Sequence, residues 1–336
     1  MDADHHPGFG GDLTYAEGFA GPGFYKDDSP GSPVIALRAL LDHKDLKYVV
    51  SRVRLLFVDK DPRCTRHLEQ RLRAAVGGMS LEKLRDHKIH VDVVTGSCEP
   101  ELEGLLTRHG AWGRPMLVVL DTWGGSVPLD LVRRVAGNPA GEVIITMKPQ
   151  YFARFSGTED IDHGDRVFGG TSWRRVAEQA PRDKARWLLQ HYRETVQDAG
   201  FAHVLDFELI DKYGHALYLV YGTNHRKGLQ KMKEAMWEVD VATGGGYRDP
   251  RDPKQETLDI QDEPQTAPLR RLLHAHLAAL PGRQAAVEEL RRYALYYTVY
   301  KESQVTPVVR DMLQRGELTQ ADPGRSVARN TIVRLP

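Results

Sequence analysis

A glycine-rich turn near the start of the chain joins a strand-like apolar segment to a helix-like one. It runs Glu17-Gly18-Phe19-Ala20-Gly21-Pro22-Gly23. Because glycine has no Cβ, Gly21 and Gly23 would let the backbone turn sharply and approach a ligand closely. A strand, such a turn and a helix in this order are typical of nucleotide-like cofactor sites, where Glu17 and Phe19 would lie beside the cofactor. A tight turn that binds nothing is the alternative.

Asp59 ends the next apolar run, in the sequence Phe57-Val58-Asp59-Lys60-Asp61-Pro62. A carboxylate at that place accepts hydrogen bonds from both ribose hydroxyls of a bound nucleoside. It could instead cap the following helix, but Asp61 before Pro62 is the better candidate for that role. Lys26 replaces the third glycine of a G-x-G-x-x-G motif, and no G-x-x-x-x-G-K-[ST] motif occurs. The pattern therefore disfavours a nicotinamide dinucleotide and ATP hydrolysis.

Two further groups follow predicted strands. The chain reads Asp121-Thr122-Trp123-Gly124 after the fourth strand, where Asp121 could accept a hydrogen bond from an amine and Trp123 could stack on a base. An ordinary polar turn, with the tryptophan covering the core, is the alternative. Ser97 follows the third strand and is placed to reach the adenine end of a cofactor. Its neighbour Cys98 lacks a histidine or aspartate partner by spacing, which disfavours a nucleophilic role.

The elements that must position these residues alternate between strand and helix up to about residue 147. This alternation predicts an α/β fold of the Rossmann-like type, a parallel sheet with helices on both faces. Ligands bind such sheets at the carboxyl ends of the strands, where the turns above are located. The predicted strands are 13–19, 54–58, 89–94, 115–120 and 142–147, and the predicted helices are 34–41, 63–76, 101–109 and 129–136.

The rest of the chain is organised differently. A polar stretch over 155–170 predicts a loop or lid, and it precedes a helix over 181–199. A hairpin of strands over 204–210 and 216–221 and a helix over 228–239 follow. The glycine- and proline-rich stretch that begins at 244 predicts a domain boundary. We therefore expect a cofactor-binding domain over 1–245, a linker over 246–268 and a second domain over 269–336.

The last 68 residues predict three helices, over 269–280, 285–298 and 306–315, and a hairpin, the order of a winged helix-turn-helix domain. They contain 11 Lys and Arg against 6 Asp and Glu. A local surplus of positive charge suits nucleic acid, because neutralising phosphates drives binding of any sequence. Arg310, Arg315, Arg325 and Arg329 are the residues we expect to contact it. A dimerisation or packing module with a solvated basic face is the alternative.

Composition limits the class of protein without naming a partner. Lys and Arg number 46, as do Asp and Glu, so the net charge is zero, and only Cys64 and Cys98 occur. Two unpaired cysteines indicate neither a disulfide framework nor a zinc ribbon and favour a reducing cytoplasm. No apolar run reaches the roughly 20 residues that cross a bilayer, and the start lacks the features of a signal peptide. We expect a soluble cytoplasmic protein without a membrane partner.

No set of residues has clear metal-ligand spacing, so we expect no metal. His5 and His6 lack a third ligand nearby and are more typical of a terminal tail. Asp160, Asp162 and Asp165 are the only crowded carboxylates, and a mobile lid is the better interpretation of that segment.

Two motifs resemble the three-Cys-motif partner protein family. The first is the glycine-rich turn continued through Phe24-Tyr25, followed by Gly31-Ser32-Pro33. The second is Gly222-Thr223-Asn224-His225 running into Gly228-Leu229-Gln230-Lys231-Met232-Lys233-Glu234-Ala235-Met236-Trp237. With the intervening strands and the tail, the similarity spans most of the chain.

The resemblance implies a class I S-adenosylmethionine (SAM)-dependent methyltransferase-like fold, SAM as cofactor and a partner protein with a cysteine motif like that of radical-SAM enzymes. Two features depart from the family. Thr122 stands where the family pattern would have proline after Asp121, which weakens the analogy with enzymes that methylate base amines. The segment before the first strand is also only about a dozen residues long.

The leading hypothesis is a SAM-dependent methyltransferase that acts on nucleic acid, at a nucleobase amine, with a partner protein. Gly21 and Gly23 would admit the methionine end of SAM, Asp59 would bind its ribose and Ser97 its adenine edge. Asp121 would orient the acceptor amine. The alternative is a SAM- or nucleotide-sensing nucleic-acid-binding protein without transfer activity, and a metal-dependent nuclease or hydrolase is a third hypothesis.

Overall fold

The structure is a computed structural model that describes residues 11–44, 51–122, 125, 127–155, 161–248, 264–322 and 326–336. The chain forms two compact units. One contains the residues up to 206 together with 217–224, and the other contains 207–216 and the residues from 225 onward. The predicted boundary at 245 thus lies within the second unit, and the predicted linker falls largely on residues outside the described ranges. His5, His6 and Asp160 also lie outside them.

A mostly parallel sheet forms the centre of the first unit. The strand order of the sheet is β3-β2-β1-β4-β5-β7-β6-β8, with β1 to β5 parallel, β7 antiparallel to β5, and the short β8 (Gly246–Arg248) parallel to the last residues of β6. The predicted α/β fold is therefore confirmed. The strands are β1 (Asp12–Glu17), β2 (Arg52–Asp59), β3 (Ile89–Thr95), β4 (Met116–Leu120), β5 (Gly141–Met147), β6 (His203–Ile210) and β7 (Ala216–Thr223).

Helices cover both faces of this sheet. The side chains of β2 are apolar on both faces, and each face has to be shielded from water. Leu56 and Val58 belong to one apolar cluster, and Leu55 and Phe57 belong to another on the opposite face. A strand whose successive side chains are all buried must lie inside such a layered fold. The helices of the unit are α1 (Ser32–Asp42), α2 (Pro62–Ala75), α3 (Cys98–Arg108), α4 (Leu129–Ala136), α5 (Pro149–Phe155), α6 (Ile161–Phe168) and α7 (Lys184–Asp198).

The prediction of a loop over 155–170 is wrong for its second half, which forms α6. Phe168 is buried and stacks on the ring of Trp173 at 5.5 Å. Gly164 lies so close to that ring that a Cβ would overlap it. The glycine therefore serves close packing rather than flexibility, and tertiary contacts override the low helix propensity of the segment. Asp165 accepts hydrogen bonds from Trp173 and Arg174, which gives it a structural role.

The second unit contains helices and a small antiparallel sheet in the order β10-β11-β9. From residue 267 onward the order along the chain is helix, strand, helix, helix, strand, strand. Its elements are α8 (Arg226–Val239), β8 (Gly246–Arg248), α9 (Ala267–Ala279), β9 (Gln284–Ala286), α10 (Val287–Tyr297), α11 (Glu302–Gln314), β10 (Thr319–Gln320) and β11 (Ile332–Arg334).

A buried lysine on α8 organises the second unit. The Lys233 ammonium donates to the carbonyl oxygens of Ala294 and Tyr300 at 3.0 and 3.2 Å, and to those of Leu295 and Thr298 as well. These carbonyls lie at and just beyond the C-terminal end of α10, where helix carbonyls lack partners within the helix. Burial lowers the pKa of Lys233 to about 7, and Glu302 opposes that shift. The lysine thus fastens α8 to α10.

Three arginines converge on one carboxylate at the amino ends of β1 and β2. Asp12 Oδ2 accepts hydrogen bonds from Arg52 at 2.8 Å and Arg54 at 2.9 Å, and pairs with Arg114 at 3.0 Å. Arg54 is fully buried. Burial alone would raise the pKa of Asp12, but the hydrogen bonds and charges of Arg52 and Arg54 outweigh it and hold that pKa below its ordinary value.

We expect Asp12→Asn to lower the free energy of unfolding by about 3–5 kcal/mol, because it leaves a buried guanidinium without its counter-charge. The contribution of Asp12 is complete above its unfolded-state pKa of 3.8 and is lost as the pH falls through the lower folded-state pKa. Urea unfolding from pH 3 to 7 measures both effects. Asp130→Asn, which breaks the exposed pair with Arg133, is the control and should change little. Equal stability of the two variants would contradict a role for the cluster.

Candidate functional site

The glycine-rich turn after β1 has the backbone that its sequence predicts. Gly21 and Gly23 adopt φ values of +63° and +78°, which favour glycine. A Cβ on Gly23 would come within 2.8 Å of Leu68, and one on Gly18 would overlap Cys98 Sγ. Gly18 and Gly23 are therefore required for the turn to pack between α2 and α3.

Asp59 fixes this turn to the end of β2. Its Oδ2 accepts a hydrogen bond from the Gly21 N–H at 2.8 Å, and its Oδ1 accepts one from the Asp61 N–H at 2.9 Å. The Ala20 N–H also donates to the Val58 carbonyl at 3.0 Å. Each carboxylate oxygen keeps a further lone pair, so Asp59 can still accept hydrogen bonds from a ligand. Asp61 caps α2, as the sequence predicts.

Glu17 is a buried carboxyl group at the end of β1. Tyr15 donates its hydroxyl to Oε1 at 2.6 Å, and Ser32, at the start of α1, donates to Oε2 at 2.9 Å. Burial raises the pKa of Glu17 to about 7; the two hydrogen bonds lower it and the charge of Asp121 raises it further. Near neutral pH this group therefore exchanges readily between carboxyl and carboxylate.

Asp121 follows β4, the strand next to β1, and its charge reaches the same region. Burial raises the pKa of Tyr25, and the charges of Asp121 and Glu17 raise it further. Tyr25 is half exposed. Sequence reasoning did not single out Tyr25 as a site residue, although it belongs to the first motif. Two carboxyl groups and a phenol thus share the space between the ends of β1 and β4.

The remaining cofactor-site predictions fall at the same edge of the sheet. Ser97 precedes α3, and the N–H of the preceding Gly96 donates to the Asp59 carbonyl at 3.0 Å. Phe19 is partly buried against the apolar cluster. Burial raises the pKa of Cys98 to about 12, which leaves too little thiolate for a nucleophile at neutral pH. Trp123 lies outside the described ranges.

The predicted nucleic-acid contacts belong to the second unit. Arg310 is exposed on α11. Arg315 donates to both oxygens of Asp311 at 2.9 Å, and Arg329 lies 3.8 Å from Glu288. Arg325 is outside the described ranges. The structure therefore offers Arg310 more directly to a phosphate than Arg315, whose charge is already neutralised.

The described residues include neither a metal-binding cluster nor a membrane-spanning helix. None of these residues form a group of three or more histidines, cysteines or acids that could hold a metal ion. Within the same ranges, no helix is both long enough and apolar enough to span a membrane.

Comparison with known proteins found similar structures but no similar sequences. No family model and no curated protein matches the chain. One similar structure is the Trm1 complex with S-adenosyl-L-methionine from Pyrococcus horikoshii, at 9% identity and a TM-score of 0.35 over 66% of this chain and 53% of that one. Another is the precorrin-6y C5,15-methyltransferase of Geobacter metallireducens, which is 12% identical and has a TM-score of 0.32. The match covers 64% of this chain and 81% of that one. The M1A22 tRNA methyltransferase TrmK of B. subtilis is 10% identical and has a TM-score of 0.31. The match covers 92% of this chain and 91% of that one. Similarity of this extent assigns no ligand to this chain.

The raised pKa of Glu17 predicts a distinct pH dependence of stability. The folded state keeps this proton up to about pH 7, whereas the ordinary pKa of a glutamate in the unfolded chain is 4.5, so stability should fall as the pH rises through that window. In Glu17→Gln, which cannot titrate, the fall should be shallower. Urea unfolding at pH 4.5 to 7.5 measures it. Tyr15→Phe keeps the carboxyl but removes a hydrogen bond that lowers its pKa, so its fall in stability should extend to higher pH than in the wild type. Identical slopes in all three proteins would contradict the assignment.

Proposed function

We propose that the first unit is a SAM-dependent methyltransferase. The observation that carries this proposal is the acidic character of the cofactor turn, where Glu17, Asp59 and Asp121 stand at the carboxyl ends of three neighbouring strands. SAM is a cationic nucleoside with a sulfonium and an amino group. Carboxylates favour such a ligand by simple charge attraction, while the glycines give it close access to the backbone.

The same charges argue against a dinucleotide. A pyrophosphate binds at the N-terminus of the helix that follows the glycine turn, where the backbone N–H groups and the helix dipole favour an anion. In this chain Ser32, at the start of α1, donates its hydroxyl to Glu17, so a carboxyl group already lies beside that position. The acidic surroundings would repel a phosphate there.

Each residue at this edge has a role in the proposed reaction. Asp59 accepts hydrogen bonds from the ribose, Ser97 lies towards the adenine, and the turn through Gly21 and Gly23 receives the methionine end. When bound, SAM supplies a methyl group on an already activated sulfonium. The protein then needs to position the acceptor and complement its charge more than to supply a strong base. Asp121 orients the acceptor amine.

Nucleic acid is the acceptor that the second unit supports best. The order of its elements from α9 to β11 supports the winged helix-turn-helix domain that we infer over residues 269–336. These residues also hold 11 Lys and Arg against 6 Asp and Glu. The resemblance to the three-Cys-motif partner family extends the proposal to a partner chain with a radical-SAM-like cysteine motif.

Asp59→Asn should weaken SAM binding about tenfold or more, because a hydrogen bond to a charged group contributes roughly 1.5–3 kcal/mol. Calorimetric titration of the full chain with SAM measures the affinity. Asp61→Asn is the matched control, since Asp61 is in the same loop but caps α2. A folded wild-type protein that does not bind SAM would refute the methyltransferase proposal.

Asp121→Asn should lower the rate of methyl transfer by about 100-fold, because a misplacement of the acceptor by about 1 Å can cost that much. Transfer of a labelled methyl group from SAM to RNA and to DNA measures it, and Asp130→Asn on the exposed face of α4 is the control. Unchanged transfer in Asp121→Asn would remove its assigned role. Tight SAM binding by the wild type without any transfer would instead favour a SAM-sensing, nucleic-acid-binding protein.

A further inference from the structure

The second unit carries a column of stacked rings on its surface. The ring of Tyr293 on α10 stacks on His276 of α9, with centroids 3.9 Å apart and planes at 11°. It also stacks on Tyr297, one turn further along α10, at 5.9 Å and 28°. Tyr297 ends the column and is 78% exposed. We call His276, Tyr293 and Tyr297 the aromatic column.

The fold of the unit accounts for the inner part of this column, because Tyr293 packs against the apolar cluster of the unit, but it does not account for the outer ring. The core side of α10 is formed by Leu290 and Ala294, which belong to that cluster. Tyr297 points away from that cluster and keeps most of its surface in water. An aromatic ring left in solvent at the end of a stack offers a flat face for another ring, and such surfaces commonly mark binding sites.

Exposed arginines lie on the two helices that form the column. Arg292 follows Tyr293 in sequence on α10, and Arg271 is on α9. Glu289 lies one helical turn before Tyr293, and its carboxylate accepts the Ala286 N–H at 3.0 Å as a helix cap. Burial lowers the pKa of His276, and the charge of Glu289 opposes that shift. Exposed rings and exposed arginines on the same two helices match a ligand with flat bases and a phosphate backbone.

We propose that the aromatic column binds unpaired bases of single-stranded nucleic acid, with a base stacked on Tyr297 and Arg292 beside the phosphates. The inference rests on the proposed function, since it names the form of nucleic acid that the second unit takes. Base stacking on aromatic side chains is tolerant of sequence. Bases inside a duplex have both faces covered, so the column selects single strands.

Fluorescence anisotropy of the full chain with a labelled single-stranded RNA, the same DNA sequence and a duplex of equal length tests this. Tyr297→Ala should weaken single-strand binding by about 5- to 100-fold, as loss of one stacked base does. Tyr297→Phe, which keeps the ring, should retain affinity within about twofold on the same reasoning. Tyr213→Ala, which removes another exposed tyrosine of this unit, is the control.

Salt dependence separates stacking from charge. The slope of log affinity against log salt should be unchanged in Tyr297→Ala, because phosphate contacts set it, and should fall by about 0.7 in Arg292→Gln. Equal single-strand affinity of wild type and Tyr297→Ala, or equal losses on duplex and single strand, would overturn the inference. The inference would also be overturned if the wild type bound no single strand and Tyr297→Ala had a different oligomeric state from the wild type. That result would indicate a protein contact at Tyr297.

SAM titration of the same samples keeps the two proposals apart. If the protein bound SAM and Tyr297→Ala kept the single-strand affinity of the wild type, only the proposal that the aromatic column binds unpaired bases would be rejected. Tyr297-dependent single-strand binding without SAM binding would support the column and reject the methyltransferase.

Discussion

The candidate site depends on the central position of β1. This strand pairs in parallel with β2 on one side and β4 on the other, so its carboxyl end lies between those of its neighbours. Glu17, Asp59 and Asp121 are brought to one edge by this pairing alone. The turn that follows is then fixed by the hydrogen bond from Gly21 to Asp59, and the first turn of α1 is joined to the same edge by Ser32. A shift of β1 by one residue would turn Glu17 to the opposite face and separate these groups.

Sequence patterns predicted those features that depend on local or periodic signals. The continuous apolar run of β2 required a buried strand, and a carboxylate at its end had to stand beside the first turn. The helix α6 could not be predicted in the same way, because Gly164 lowers the helix propensity of the segment and the packing against Trp173 that requires this glycine depends on the fold. Tyr25 was missed for a related reason. Its closeness to Asp121 arises from two turns far apart in sequence.

The second family-like motif is explained by packing. Asn224 accepts a hydrogen bond from the Ala202 N–H at 2.6 Å and donates to the Ala136 carbonyl at 3.0 Å, both within the first unit. Lys233 fastens α8 to the end of α10, and Trp237 donates to the Val299 carbonyl at 3.0 Å within the second. This motif therefore meets structural requirements on either side of residue 225. Only the first motif carries residues of the candidate site.

The zero net charge of the chain conceals two local charges of opposite sign, and the proposed function uses both. A cationic cofactor suits the carboxyl groups at the end of β1, and a polyanion suits the surplus of arginine in the second unit. The same carboxyl groups repel a phosphate backbone, so a nucleic-acid acceptor can approach the cofactor only through an uncharged part of itself. An extruded or unpaired base meets that condition, whereas an intact duplex presents its phosphates first. Partial protonation of Glu17 near neutral pH reduces the repulsion further. Electrostatics at the cofactor edge and stacking in the second unit thus favour the same kind of acceptor.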